Sequence, residues 1–324
     1  MNKKGFYFSL LIMSLMLITA GAAWGMVNSN REVENFQVSV VLDESTNDRW
    51  IALREGMEQA ARDNHIKLNV VSTGAISYTD ERILIDRELE NEAEGIVVQM
   101  ISSQDSSAYI EELSQKTAVI LLDTDISPED VYPAVTADNI EIGRALAKAI
   151  LEDPALIRSN IQIGVLCGHA KQLSMQQRLE GLEEGLLAEG LKPTWILETG
   201  SPEMTGKLEQ KMSETPASIL VSLGDPETES AVDYFQSQTG MQLTTTLYGV
   251  GCSEKNVYFL DQGLIRTLVV PNEFNMGYQS ISAIAEKLKY KLSDPVTEKV
   301  NYLVVNKENL YDAKNQKILF PIVQ

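Results

Sequence analysis

Apolar and polar positions along this chain follow two rhythms that take turns. Short β-branched or aliphatic runs stand at 37–42, 67–71, 95–98, 118–122 and 132–135, and each reads as a strand. Between them, at 49–64, 80–91 and 107–114, apolar residues recur every three or four positions, the period of a helix with one buried face. The same succession then starts again. Strand runs fall at 161–166, 194–197, 218–222, 246–250 and 265–269, with helical stretches near 173–189, 205–213, 227–236 and 254–261. A helix over 274–292 follows Pro271, a strand is expected at 302–305, and 318–323 reads as one more short strand.

Strand–helix alternation builds parallel βαβ units with helices on both faces of the sheet. Strands covered on both faces are apolar throughout rather than alternating, and runs such as 95–98 and 118–122 are. One repeat is visible in residues. Glu55-Gly56-Met57-Glu58 and Glu180-Gly181-Leu182-Glu183 share Glu-Gly-x-Glu at an offset of 125, and Ile66-Lys67 and Leu191-Lys192 match at the same offset. Each copy lies on, or just after, the helix that follows the first strand of its series, which points to two copies of one architecture. The predicted fold class is therefore α/β, with two doubly wound parallel-sheet lobes joined by a hinge that the chain crosses several times. The expected lobes are 37–140 plus 271–298 and 141–270 plus 299–324, after a leader at 1–27 and a polar spacer at 28–36.

The leader sets the compartment. Lys3 and Lys4 precede 23 uncharged residues, Gly5 to Val27. That run is long enough to span a bilayer as a helix, with the lysines inside and Trp24 at the outer interface. It is read as a retained membrane anchor; Ala20-Gly21-Ala22 provides a cleavage site for the alternative, a removed signal peptide. Either way, the chain from about residue 28 lies on the extracytoplasmic face. No cysteine follows the run to carry a lipid.

Charge and composition narrow the function further. A formal net charge of −19 repels phosphate backbones, so nucleic acid is not expected as a partner. With two histidines, His65 and His169, and no HExxH, no metal site is expected. Cys167 and Cys252 end the first and fourth strands of the second series, which a third strand separates, so both are expected as free thiols. Residues 200–208 differ from a phosphate loop by one extra residue between the glycines and by Leu208 where a hydroxyl is needed. No GxSxG elbow or dinucleotide fingerprint is present, and neither a cofactor nor catalysis is expected.

In open parallel sheets ligands bind beyond the carboxyl ends of the strands, so the loops there hold the candidates. After the first strand come Ser45, Thr46, Asn47, Asp48, Arg49 and Trp50. One of the small polar residues serves as helix cap, and the Trp50 ring offers either a plate for a sugar's C–H face or core packing. Asp123, at a strand end, can accept two hydroxyl hydrogen bonds or form a turn. Asp225 holds the equivalent place in the second series, where Pro226 also suits it to a helix cap. Gln176 and Arg178 lie on the helix after the first strand of the second series, and Arg178 fits a cleft or a solvated face equally.

These pieces resemble the type I periplasmic binding proteins of the ribose-binding kind. The likeness runs from about residue 36 through Val41-Leu42 to Trp50, Leu53-Arg54-Glu55-Gly56, Thr136-Ala137-Asp138-Asn139 with Gly143, Arg178 and Gly181, Gly224-Asp225, Tyr248-Gly249, and Asn272 with Met276-Gly277-Tyr278. The resemblance implies two lobes, three hinge crossings and closure around a sugar. It puts Asn47, Arg49, Trp50, Asp123, Gln176 and Asp225 at ligand-contact positions, and Asn272 and Arg178 fall within its motifs. The sequence departs from the pattern at Arg49 (commonly aromatic), at Thr124 and Gln176 (commonly Arg), at Gly251 (usually Asp) and at Pro271 (usually Gln). A sugar other than ribose, or a polyol, is the expected ligand. The output is expected through an ABC permease or a sensor histidine kinase, and the anchor without a lipid cysteine favours sensing. The competing readings are an interaction module without a ligand and an extracytoplasmic enzyme.

Overall fold

The computed structural model describes residues 12–21, 35–42, 50–73, 78–127, 132–154, 161–198, 203–238, 244–291 and 297–320. Residues Met1–Asn35 and Phe36–Gln324 form separate compact units. In the first unit, 12–21 is helical with exposed side chains, and the rest of the expected anchor lies outside the described residues. Among the described residues no helix is long and apolar enough to cross a membrane.

The second unit holds two six-stranded sheets. In the first, β1 (Phe36–Leu42), β2 (Ile66–Ser72), β3 (Gly95–Val98), β4 (Ala118–Asp123), β5 (Ala134–Ala137) and β11 (Thr297–Val300) lie in the order β11-β5-β4-β3-β1-β2. In the second, β6 (Ile163–Cys167), β7 (Trp195–Glu198), β8 (Ile219–Ser222), β9 (Thr246–Val250), β10 (Ile265–Pro271) and β12 (Tyr302–Asn306) lie in the order β12-β10-β9-β8-β6-β7. The two orders correspond strand for strand. All pairs are parallel except β10 with β12. The central strands are buried along their length, as their unbroken apolar runs require.

The helices are α1 (Trp50–Asn64), α2 (Tyr78–Glu90), α3 (Ser103–Lys116), α4 (Asn139–Leu151), α5 (Leu173–Leu187), α6 (Met204–Glu214), α7 (Asp225–Ser237), α8 (Glu254–Asp261), α9 (Glu273–Tyr290) and α10 (Ala313–Leu319). The repeated Glu-Gly-x-Glu has a packing reason. α1 lies against α9 and α5 against α4. A methyl group added at Gly56 would meet the Phe274 carbonyl, and one at Gly277 the Leu53 carbonyl. Gly181 faces the Ile140 carbonyl and Gly143 the Arg178 carbonyl in the same manner. Each lobe thus crosses two helices at a facing pair of glycines, where only hydrogen leaves room for the backbones.

Three expectations change. Of the strand expected at 318–323, Ile318 and Leu319 instead close the short helix α10, and 321–323 lie outside the described residues. β11 has the sequence Thr-Glu-Lys-Val, too polar to register as a strand, and is held by pairing with β5. α4, absent from the expected helices, begins at the cap Asp138, whose side chain accepts from the Glu141 amide at 3.4 Å.

The chain passes from the first sheet to the second between β5 and α4, returns between β10 and α9, and passes again between β11 and β12. The crossings are tied to one another. The Asn272 backbone amide donates to the Asn301 carbonyl at 2.9 Å, and Asn272 Nδ2 donates to Asn301 Oδ1 at 3.2 Å. Lys299 Nζ lies 3.1 Å from Asp138 Oδ2.

Candidate functional site

The ends of β3 and β4 in one lobe meet the start of α5 in the other. Asp123 closes β4 with a φ of 61°, a left-handed conformation uncommon outside glycine that Asp tolerates better than most. Strained backbone of this kind gathers at functional sites. Its Oδ2 accepts from Gln99 Nε2 at 2.7 Å, and its Oδ1 lies 3.5 Å from Arg178 Nη2. Arg178 is 2% exposed. It also donates from Nε to Asn139 Oδ1 at 2.8 Å and from Nη1 to the Leu223 carbonyl at 2.9 Å. Planar and always charged, it can hold three differently placed acceptors at once.

Two buried polar atoms in this region have no hydrogen-bond partner, Gln99 Oε1 and Ser174 Oγ. Buried polar groups are nearly always satisfied, so a pair of orphans from opposite lobes marks a place for a ligand or ordered water. Together with a carboxylate and a guanidinium, they offer both donors and acceptors to a solute rich in hydroxyls. Sequence reasoning singled out Asp123 and Arg178 and passed over Gln99 and Ser174. Gln99 directly follows β3, so a search of every strand end would have found it.

The other candidates are placed as follows. Trp50 opens α1 and is 4% exposed, within the apolar cluster that includes Leu42, Leu53 and Met57. Asn47 and Arg49 lie outside the described residues. Gln176 is exposed and donates from Nε2 to the Ala170 carbonyl at 3.0 Å. Asp225 is committed within its own lobe, where its carboxylate accepts from the Ser253 amide at 3.2 Å and from Asn256 Nδ2. Gly251 faces that carboxylate at a φ of 118°, and an added methyl group would collide with it. The position therefore suits glycine rather than aspartate. Asn272 caps α9, accepting from the Asn275 amide at 3.1 Å, and fastens the hinge through Asn301.

Cys167 and Cys252 are free thiols. Burial, followed by the nearby Glu227 and Glu198 carboxylates, pushes the Cys167 thiol up to about 12 and keeps it protonated. A cavity of about 390 Å³ lies between the lobes on the β2 and β7 side, lined by Tyr78, Ser102, Asp105, His169, Lys171 and Glu198 among others. Among the described residues no group of three His, Cys, Asp or Glu side chains is placed to hold a metal ion.

Two matching parallel sheets, three crossings and a polar cluster at the facing strand ends define a type I periplasmic binding protein. Residues 38–292 match the family model described as periplasmic binding protein domain, and the chain belongs to that family. Solved structures share the fold at low identity. GanP, a glucose-galactose binding protein from Geobacillus stearothermophilus, is 20% identical with a TM-score of 0.76, over 86% of this chain and 99% of that one. A carbohydrate transporter solute binding protein from Agrobacterium radiobacter, in complex with D-arabinose, is 16% identical with a TM-score of 0.80, over 88% and 99%. The XylFII–LytSN complex contains a chain 16% identical with a TM-score of 0.75, over 85% and 98%. No curated protein sequence matches the chain significantly.

Proposed function

We propose that this chain is an extracytoplasmic solute-binding protein whose lobes close on a sugar or polyol. The observation that carries the reading is the buried set Gln99, Asp123, Arg178 and Ser174, drawn from both lobes and holding two unpartnered oxygens. Trp50 supplies an apolar wall, and Asn47 and Arg49 complete the site from the preceding loop. The structural neighbours, a glucose-galactose binding protein and a solute binding protein in complex with D-arabinose, support a sugar, and the family supports binding rather than catalysis. Closure is a population shift, driven by whatever preference the ligand has for the closed form.

A thermal-shift screen of residues 28–324 against sugars and polyols tests this. A compound at a hundred times its dissociation constant stabilises by roughly 2.7 kcal/mol. If no compound moves the melt and a stable protein complex is recovered instead, the chain is an interaction module without a ligand.

We further propose that the uncharged run from Gly5 to Val27 holds the protein at the membrane and that closure is read by a membrane partner, a sensor histidine kinase in preference to an ABC permease. The neighbour solved as the XylFII–LytSN complex supports a protein partner. Recovery of the intact N-terminus in the membrane fraction is expected, whereas a soluble chain beginning beyond Ala22 would overturn the anchor.

A further inference from the structure

The first amides of a helix have no acceptor within their own helix and must find one elsewhere. Here α3 and α5 begin on opposite sides of the cleft, and each finds acceptors in the other lobe. The Leu173 amide donates to Ser103 Oγ at 2.9 Å and the Ser174 amide to Thr124 Oγ1 at 3.2 Å. In the other direction, the Ser103 amide donates to the Lys171 carbonyl at 3.0 Å. Gln172 stands at the N-cap of α5 without capping it, and its Nε2 donates across the cleft to the Met100 carbonyl at 3.0 Å. Ser103, Thr124, Gln172 and Ser174 are all buried.

We propose that the lobes cap each other's helices and that this reciprocal cap stabilises the closed form independently of any ligand. The proposal rests on the reading of the protein as two closing lobes, and it concerns what holds closure, not what is bound. α3 also has a cap of its own, Ser102, whose Oγ accepts from the Asp105 amide at 3.3 Å, so the cross-lobe cap matters most at α5. α5 has no side-chain cap of its own, so opening exposes its first two amides with nothing but water to replace the Ser103 and Thr124 hydroxyls. The capping set is small and specific, since both hydroxyls have a second bond to the same carbonyl. Ser103 Oγ donates to the Asp125 carbonyl at 2.6 Å and Thr124 Oγ1 to it at 3.2 Å, which leaves their lone pairs directed to α5. The cap thus lowers the cost of closing, and a ligand that prefers the closed form shifts the population the rest of the way.

Amide hydrogen exchange of the full chain in the absence of any sugar tests this. In the wild type, the Leu173 and Ser174 amides are expected to exchange well below the rate of unstructured amides, because the bonds that shield them come only from the other lobe. In the double variant Ser103→Ala/Thr124→Val, their protection should fall roughly tenfold or more while the Leu182 amide is unchanged. Should that variant fail to fold, Gln172→Ala is read instead, with faster exchange at the same two amides expected and no change overturning the cap. Wild-type amides at 173 and 174 that exchange as fast as unstructured ones, beside a protected α5 interior, would also overturn it. Protection without sugar supports the cap even where no sugar moves the melt. A sugar-induced melt shift with unprotected amides keeps the binding function and removes the cap.

Discussion

Replacing Arg178 with alanine is expected to destabilise the folded chain by about 3–5 kcal/mol, the range for breaking a buried ion pair by removing one partner. The side chain is almost fully buried and serves Asn139, the Leu223 carbonyl and Asp123 at once. Its loss leaves a buried carboxylate without its cation and two acceptors without donors. The cost comes from those stranded groups more than from the lost attraction. Urea unfolding of the wild type and of Arg178→Ala measures it. Arg178→Lys should recover only part, since an ammonium keeps the charge but does not reproduce a planar fork aimed at three acceptors. A loss below about 1 kcal/mol, the value of an exposed pair, would mean that solvent reaches the guanidinium and that the buried site is misdescribed.

Trp50→Ala is the second large effect. Removing a buried indole forfeits its transfer free energy and leaves a cavity, together worth about 3–5 kcal/mol. At 4% exposure Trp50 should show the full range as a lowered unfolding midpoint. Its proposed second role is read separately. If the ring also forms a wall of the sugar site, the sugar-induced melt shift disappears along with the stability. A variant that is less stable yet shows an undiminished shift would leave Trp50 in the core and remove it from the site.

The same residues show how far the sequence could be read. β3 is apolar from end to end, β4, β8 and β9 are polar only at a terminal residue, and β1 is broken only by Gln37 and Ser39, so these buried parallel strands were legible. β11 was not, because three of its four residues are exposed and its only claim to be a strand is the partner β5. Ile318 and Leu319 misled for the opposite reason, as apolar residues too few to show a period fit either element. For the site, Asp123 stood out as a carboxylate at a strand end. Arg178 stood out as a cation near the second lobe's first loop, but its choice between cleft and solvent depended on Asn139, Leu223 and Asp123, which lie 39, 45 and 55 residues away in the chain.

The sequence by itself determined the alternation of strand and helix, the doubling of the architecture and the places of the strand-end loops. Those follow from local hydrophobic period and from a repeat, both written in neighbouring residues. Only the tertiary structure decided that Gln99 and Ser174 keep unpartnered oxygens, that Asp225 serves its own lobe, and that Ser103 and Thr124 cap a helix on the far side of the cleft. Such assignments depend on which hydrogen-bonding groups remain unsatisfied once two distant segments have been brought together, and no local pattern carries that information.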